Sequence, residues 1–279
     1  MDEIENCLSQ FIENSGKKKE FRYNNIIIEY EIIITDDSNN LLTKLLIQHN
    51  FPWIKWFKGP QKGPAANRNN GAKHALFGWL LFTDDDCIPN EEWIVEIFKQ
   101  IEENRKIQAI EGSIHPSGDL SLDMAECPVN YEGGRFWSAN IGIKKEFFDF
   151  LEGFDENYPY PKNEDVDLKL RIMNHTQILF IEKASVVHPV RVVSLLKSIR
   201  MIPNVCYSWS YHVVKHGKAL ELENISQTIF QTSQFHFIEM LRNLKNLKFK
   251  SFLLSFVYLI VSPILLKFFI KKVKNFSKL

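Results

Sequence analysis

Cysteine is scarce, net charge is absent, and nothing at the start resembles an export signal. The four cysteines among 279 residues, Cys7, Cys87, Cys127 and Cys206, show no CxxC spacing. That argues against a zinc site or a disulfide framework and fits a reducing compartment. Lys+Arg and Asp+Glu each total 34, so no cationic excess marks a nucleic-acid binder, and any basic character is local. The opening Met1-Asp2-Glu3-Ile4-Glu5 is acidic and leads into an amphipathic pattern, unlike the basic start and apolar core of a signal peptide. The expectation is therefore an amino-terminal body in the cytosol. A glycine-rich, basic triphosphate loop is also missing near the amino terminus, where Lys62-Gly63-Pro64 is a poor substitute. What the chain does have is apolar bulk, 45% of its residues, enough to fill the core of one large domain with an appendage.

Apolar spacing organises the first half. Ile4, Cys7, Leu8, Phe11 and Ile12 recur at helical intervals up to Asn14-Ser15-Gly16, and a lysine-rich loop, Lys17 to Lys19, follows. The β-branched run Ile26 to Ile34 reads as one buried parallel strand closing on Thr35-Asp36-Asp37-Ser38. Leu41, Leu42, Leu45 and Leu46 predict a helix, Ile54 to Phe57 a short strand, and Ala65 to Phe77 a further helix after a Gly/Pro loop. Ile107 to Ile114 is strand-like and Lys144 to Phe150 helical. Strands alternating with helices predict an α/β fold with a doubly wound, mostly parallel sheet. Ligands of such sheets bind beyond the carboxyl ends of the strands.

The tract Leu80-Leu81-Phe82-Thr83-Asp84-Asp85-Asp86 puts three adjacent carboxylates at such an end. Side chains alternate along an extended backbone, so Asp84 and Asp86 can face one way while Asp85 turns elsewhere. That arrangement suits an oxygen-preferring divalent ion shared with substrate phosphates. The plainer alternative is a solvated acidic turn, with Asp86 capping a helix that starts near Pro89. Further on, Asn163 precedes Glu164-Asp165-Val166-Asp167-Leu168-Lys169-Leu170-Arg171, a helix with acidic residues in its first turn. The helix dipole alone favours them there; the functional alternative makes Asp165 a base toward an attacking hydroxyl.

The ordered series Glu31 to Ser38, Ala66-Asn67-Arg68-Asn69-Asn70-Gly71, Phe82 to Asp86, Gly153-Phe154-Asp155-Glu156 and Glu164 to Leu168 resembles family-2 glycosyltransferases of the GT-A fold. The resemblance covers about Ile4 to Arg191. It implies a nucleotide-sugar donor of UDP, GDP or dTDP, a divalent Mg²⁺ or Mn²⁺, and transfer to a hydroxyl with inversion at the anomeric carbon. Carried over by position, it places Asp36 and Asp37 near the nucleobase, Arg68 on the nucleotide, and Asp84 near the ribose, with Asp85 beside the donor. It makes Asp86 the metal ligand, with Asp84 and His188 as further candidates, the latter from Val186-Val187-His188-Pro189. Asp165 matches the general base and Glu164 helps hold the acceptor, while Trp137 and Asn140 fall in a segment that lines the sugar pocket. A lone histidine is more often a packing or surface residue.

The chain also departs from the pattern. Relatives usually begin with a strand of the type apolar run, Pro, Thr, Tyr, Asn, placed before the first helix. Here the helix comes first, so the sheet is expected to lack an interior strand, with backbone groups left unpaired on its neighbours. A start codon lying upstream is the expected explanation, with another segment or a partner as the alternatives.

Beyond Arg191 the character changes, and three parts are expected: a catalytic domain over 1–190, an amphipathic helical region over 191–250, and a hydrophobic helix with a basic tail over 251–279. Val193 to Arg200 and Tyr207 to His212 mix basic and aromatic residues in a way suited to a membrane surface. Ser251 to Leu266 is uncharged, Lys267 interrupts, and Phe268-Phe269-Ile270 resumes. That just reaches the roughly 20 residues a spanning helix needs, and an in-plane helix fits as well. The expected role is a membrane-associated enzyme building a surface glycan or glycolipid on a glycan or lipid-linked acceptor. The alternatives are a nucleotidyltransferase and a catalytically silent binding or scaffold protein.

Overall fold

The computed structural model describes residues 2–13, 20–23, 26–222 and 224–276. In chain order the elements are α1 (Asp2–Glu13), β1 (Glu20–Tyr23), β2 (Ile26–Glu29), β3 (Ile33–Asp36), α2 (Leu42–Asn50), β4 (Lys55–Lys58), α3 (Pro64–His74), β5 (Trp79–Phe82), β6 (Ile88–Pro89), α4 (Trp93–Glu103) and β7 (Ala109–Ser117). There follow β8 (Ala125–Glu126), β9 (Ile141–Lys144), α5 (Lys145–Phe150), α6 (Glu164–Met173), β10 (Leu179–Pro189), β11 (Arg191–Val192), α7 (Leu195–His216), α8 (Ile225–Lys245) and α9 (Phe249–Phe276). The lysine-rich loop read at Lys17 to Lys19 lies outside the described residues. Two compact units result, one of residues 1–117, 128–156 and 168–189, the other of 118–127, 157–167 and 190–279.

The first unit is built on a five-stranded sheet in the order β5-β9-β7-β10-β6. The sheet is mixed: β9 is antiparallel to both β5 and β7, β10 is parallel to β7, and β6 is antiparallel to β10. Strands β5, β7 and β10 therefore share one direction, and their carboxyl ends open on one edge. Alternation along the strands divides the core. Ala109 joins Leu80, Phe136, Phe148, Phe154, Leu168 and Ile172 on one face, and Ile110 joins Trp93, Ile97, Ile114 and Val186 on the other. Helix α4 packs on the second face through Trp93 and Ile97, one turn apart, with Ile94 and Ile101 beside them.

Three readings change. The run Ile26 to Ile34 is two strands, β2 pairing antiparallel with β1, and β3 pairing parallel with β4. Tyr30, Glu31 and Ile32 lie between them, and the Glu31 carboxylate accepts hydrogen bonds from Lys55 Nζ at 2.5 Å and Leu76 N at 2.6 Å. The helix expected near Pro89 starts at Trp93, since Ile88 and Pro89 form β6 instead. Asp86 is therefore no helix cap. Among the described residues β3 and β4 form their own two-stranded sheet, and no strand joins them to β5. A third apolar cluster, of Leu8, Ile47, Phe51 and Ile54, packs α1 and α2 on this ribbon.

In the second unit α7, α8 and α9 share a core of Ile202, Cys206, Leu266 and Ile270. Asp123 fixes the start of α9, accepting from Lys250 N at 2.7 Å, Ser251 N at 3.0 Å and Ser251 Oγ at 2.5 Å. That offsets the orphan amides of a helix start.

Candidate active site

Helix α3 assembles the acidic edge of the first unit. It begins with Pro64 at its first turn after Gly63, whose φ of 97° suits glycine. Asn67 accepts from Thr35 Oγ1 at 2.7 Å and donates to Thr35 O at 2.8 Å, and Asn70 donates to Thr35 Oγ1 and Lys58 O. These bonds hold the tip of β3–β4. Asn69 exchanges hydrogen bonds with Phe154 N and O and donates to Glu156, which fixes the Gly153-Phe154-Asp155-Glu156 turn. Arg68, between them, reaches Asp84 at 3.0 Å. One helical motif thus ties together three segments distant in sequence. Sequence reasoning assigned only Arg68 a role and missed the three asparagines.

At the β3 tip Asp36 accepts from Ser38 N at 2.8 Å and Trp56 Nε1 at 3.3 Å, and Asp37 accepts from Gln61 N at 2.8 Å. Gly59 is needed beside them, because a Cβ there would collide with Asp37 and Asn67. Strand β6 anchors the acidic tract. It pairs with Val186 and Val187 of β10, and Asn90 extends the contact to Ser185 O and Lys183 O. The next β10 residue is His188, and its Nε2 lies 3.6 Å from Asp86 Oδ1. Asp86, Cys87 and His188, all buried, bring one donor atom each within 4.8 Å of one another.

This donor set fits a hard divalent cation. His188 Nδ1 lies 2.9 Å from the carbonyl of Pro189; donation there leaves the Nε2 lone pair directed toward Asp86, as a metal-bound imidazole requires. Burial first, then the charges of Asp84 and Asp86, raises the Cys87 thiol well above its usual value, which keeps it protonated and a weak ligand. A carboxylate and an imidazole are donors that a divalent cation accepts. Burial and the charges of Asp86 and Asp84 likewise hold the Asp85 carboxyl above the usual carboxylate range. Cys7 of α1 feels the same field. Burial and the three carboxylates push its thiol up to about 12.

Trp137 and Asn140 take different parts. Trp137 is half-buried, with the Arg135 guanidinium 5.7 Å from its ring. Asn140 is buried and committed to the protein, donating to Ser113 O and Ala184 O at 2.8 Å each and accepting from Trp93 Nε1 at 2.9 Å. Its side chain ties β7, β10 and α4 together. Glu111, missed in the sequence, is buried on β7 and accepts from Gly134 N, Arg135 N, Phe136 N and Asn130 Nδ2 at 2.5–3.1 Å. It sets the loop leading to Trp137.

Glu164 and Asp165 belong to the second unit. Asn163, at φ 78°, turns the chain into α6, and its carbonyl accepts from Asp167 N at 2.8 Å. Glu164 is buried, and Asp165 is partly exposed with Oδ1 accepting from Val166 N at 2.8 Å. Two residues on, Asp167 is fully buried, and its Oδ1 lies 2.7 Å from both Lys215 Nζ and His216 Nε2 of α7. His212 lies 2.6 Å from Tyr158 Oη. Burial above all, with His216 and Lys215 outweighing Asp167, drops its pKa to about 4. In the first unit a cavity of about 720 Å³ is lined by residues 102–107, Thr176 and Gln177. It sits at the amino ends of β7 and β10, away from the carboxylates, and is not this site.

A family model for "Glycosyl transferase family 2" matches residues 2–144. An uncharacterized glycosyltransferase of Haemophilus influenzae is 28% identical over 155 residues, 50% of this chain and 52% of that protein. The chain thus spans about half the length of this curated relative. The fold is similar to that of TarS of S. aureus, with a TM-score of 0.51 at 15% identity over 92% of this chain and 52% of that one. It also aligns with the mannosyltransferase PcManGT of Pyrobaculum calidifontis in complex with GDP-Man and Mn²⁺, with a TM-score of 0.49 at 12% identity over 99% of this chain and 71% of that one. The sheet is a GT-A-like mixed α/β sheet. With just over half of its length matched, the chain belongs to glycosyl transferase family 2.

Proposed function

We propose that the protein is an inverting glycosyltransferase that moves a sugar from a nucleotide-sugar donor to a hydroxyl of a glycan or lipid-linked acceptor. The observation that carries this reading is the gathering of Arg68, Asp84, Asp86 and His188 at the shared carboxyl edge of β5 and β10. Asp36 and Asp37, at the tip of β3, take the nucleobase side. Arg68 offers a fixed cation to the nucleotide, and its pairing with Asp84 orients both groups. Asp86 and His188 would hold a Mg²⁺ or Mn²⁺, which would supply positive charge to offset that on the leaving diphosphate. Asp165 sits in the first turn of α6, where the helix dipole keeps a carboxylate ionised. It accepts the proton of the attacking hydroxyl, and Glu164 helps position the acceptor. Trp137 offers an aromatic face toward the sugar.

The carboxy-terminal helices associate with a membrane surface, and the catalytic unit faces the cytosol, where the donor is made. In support, Phe249–Asn275 is long and apolar enough, by length and composition, to cross a bilayer. The test is a transfer or donor-hydrolysis assay across UDP, GDP and dTDP sugars with Mn²⁺. Asp165→Asn is expected to lower turnover by about 10²–10⁴-fold while nucleotide binding persists. A folded wild-type protein that releases no nucleoside diphosphate from any donor contradicts the reading.

A further inference from the structure

We propose that the hairpin of α8 and α9 docks in the plane of an anionic membrane, with the outer face of α9 in the headgroup and acyl boundary, and that α9 does not cross the bilayer. The proposal rests on the membrane association argued above and specifies its mode. Helix α9 has two sides. Leu253, Phe256, Ile260, Ile264 and Phe268, three or four residues apart, form one outward stripe, with Ile260 54% and Ile264 69% exposed. Ser255, Ser262, Leu266, Ile270 and Val273 form the other side and are buried. The exposed stripe is about 23 Å long at 1.5 Å per residue.

The buried side is occupied by helices that cannot follow α9 through hydrocarbon. Along α8, Asn243 reaches Ser255 Oγ at 3.3 Å, His236 stacks on Tyr258 at 4.4 Å, and Ile225 and Ile229 join the cluster of Leu266 and Ile270. The pair Glu239–Arg242 lies between His236 and Asn243 on this same helix. Along α7, Tyr207 stacks on Phe269 at 4.9 Å, and the helix carries Lys197, Arg200 and Lys215. Crossing the bilayer would draw these charges into hydrocarbon or strip the helices from α9, and both are costly. Lying in the interface needs neither.

Charge complementarity selects the partner. No acidic residue occurs from Phe249 to Leu279. Lys245, Lys248 and Lys250 cluster at the turn between the helices, and the α9 stripe runs into Lys267 and Lys271 on the same face, with Lys272 and Lys274 beyond. An apolar stripe bounded by lysines at both ends fits acyl chains beneath anionic headgroups. Helix α8 adds an exposed stripe of its own, Phe230, Phe237, Leu241 and Leu244.

Two measurements test this on the full chain. In flotation, vesicles of phosphatidylglycerol and phosphatidylcholine should carry the protein, pure phosphatidylcholine should carry much less, and Ile260→Asn with Ile264→Asn should weaken binding at least about tenfold. Both positions are exposed, so the variant should keep the wild-type circular dichroism. Separately, Lys250→Cys and Lys274→Cys are tagged by a membrane-impermeant maleimide in sealed inside-out membrane vesicles of the expressing cell, and the tagged peptides are identified by mass spectrometry. Tagging of both ends without detergent is expected. Protection of one end would overturn the in-plane mode and leave membrane association standing. Failure to bind either vesicle, or binding unchanged in the double variant, would overturn the docking face itself.

Discussion

Removing the Glu111 carboxylate tests the claim that a buried acid shapes the loop before Trp137. The side chain accepts four hydrogen bonds, from Gly134 N, Arg135 N, Phe136 N and Asn130 Nδ2. Gly134 and Arg135 are exposed, so water can replace their partner in a Glu111→Ala variant. Phe136 and Asn130 are buried, and there the donors would be left unpaired. At about 1–3 kcal/mol for each orphaned buried group, the cost is about 2–6 kcal/mol. In Glu111→Gln the carbonyl can take the place of Oε2, which accepts from both buried donors, so that variant should lose much less. Urea denaturation followed by circular dichroism measures the difference. Because the loop leads to Trp137, the alanine variant should also raise KM for the donor under conditions where it remains folded. A Glu111→Ala protein within about 1 kcal/mol of wild type would refute the reasoning, since ordinary surface substitutions fall in that range.

His188→Ala should weaken Mn²⁺ binding, while Cys87→Ser should leave it within about threefold, because the thiol stays protonated; isothermal titration with Mn²⁺ alone distinguishes them. The acid limb of stability should depend on His212. Its pKa falls from 6.5 to about 4 in the folded chain, so below pH 6.5 the unfolded chain takes up a proton that the folded one refuses. Stability contributed by the neutral ring is complete above pH 6.5 and declines as pH falls toward 4, by about 3 kcal/mol. His212→Gln should flatten that limb in a series of thermal melts from pH 7 to 4. Asn69→Ala should destabilise the first unit by about 2–6 kcal/mol through the orphaned Phe154 N–H and C=O, read in the same urea experiment.

Features carried by local pattern were legible in the sequence. The Leu80 to Asp86 tract ends a strand at the acidic edge because an apolar run followed by carboxylates has few other uses. The uncharged tail is a helix for similar reasons of length and composition. Features set by distant partners were not legible. Glu31 looks like an interior residue of one long strand, but the residues before it pair with β1 and those after it with β4. Strand β9 is four residues long and declares itself only through pairing with β5 and β7. Asn67, Asn69 and Asn70 read as a polar helix face, although Asn67 and Asn70 hold the β3–β4 tip and Asn69 holds the Gly153 to Glu156 turn. The first turn of α6 showed Glu164 and Asp165 as candidates, but nothing local showed that the fully buried Asp167 beside them pairs with Lys215 and His216 of α7, some fifty residues on.

The most direct test of a cation-dependent nucleotide site at the β5–β10 edge is calorimetric titration of UDP, GDP and dTDP with and without Mn²⁺. One of the diphosphates should bind when Mn²⁺ is present and be lost both in its absence and in Asp86→Asn. Binding to none of them, or binding that ignores both the metal and Asp86, would contradict the account.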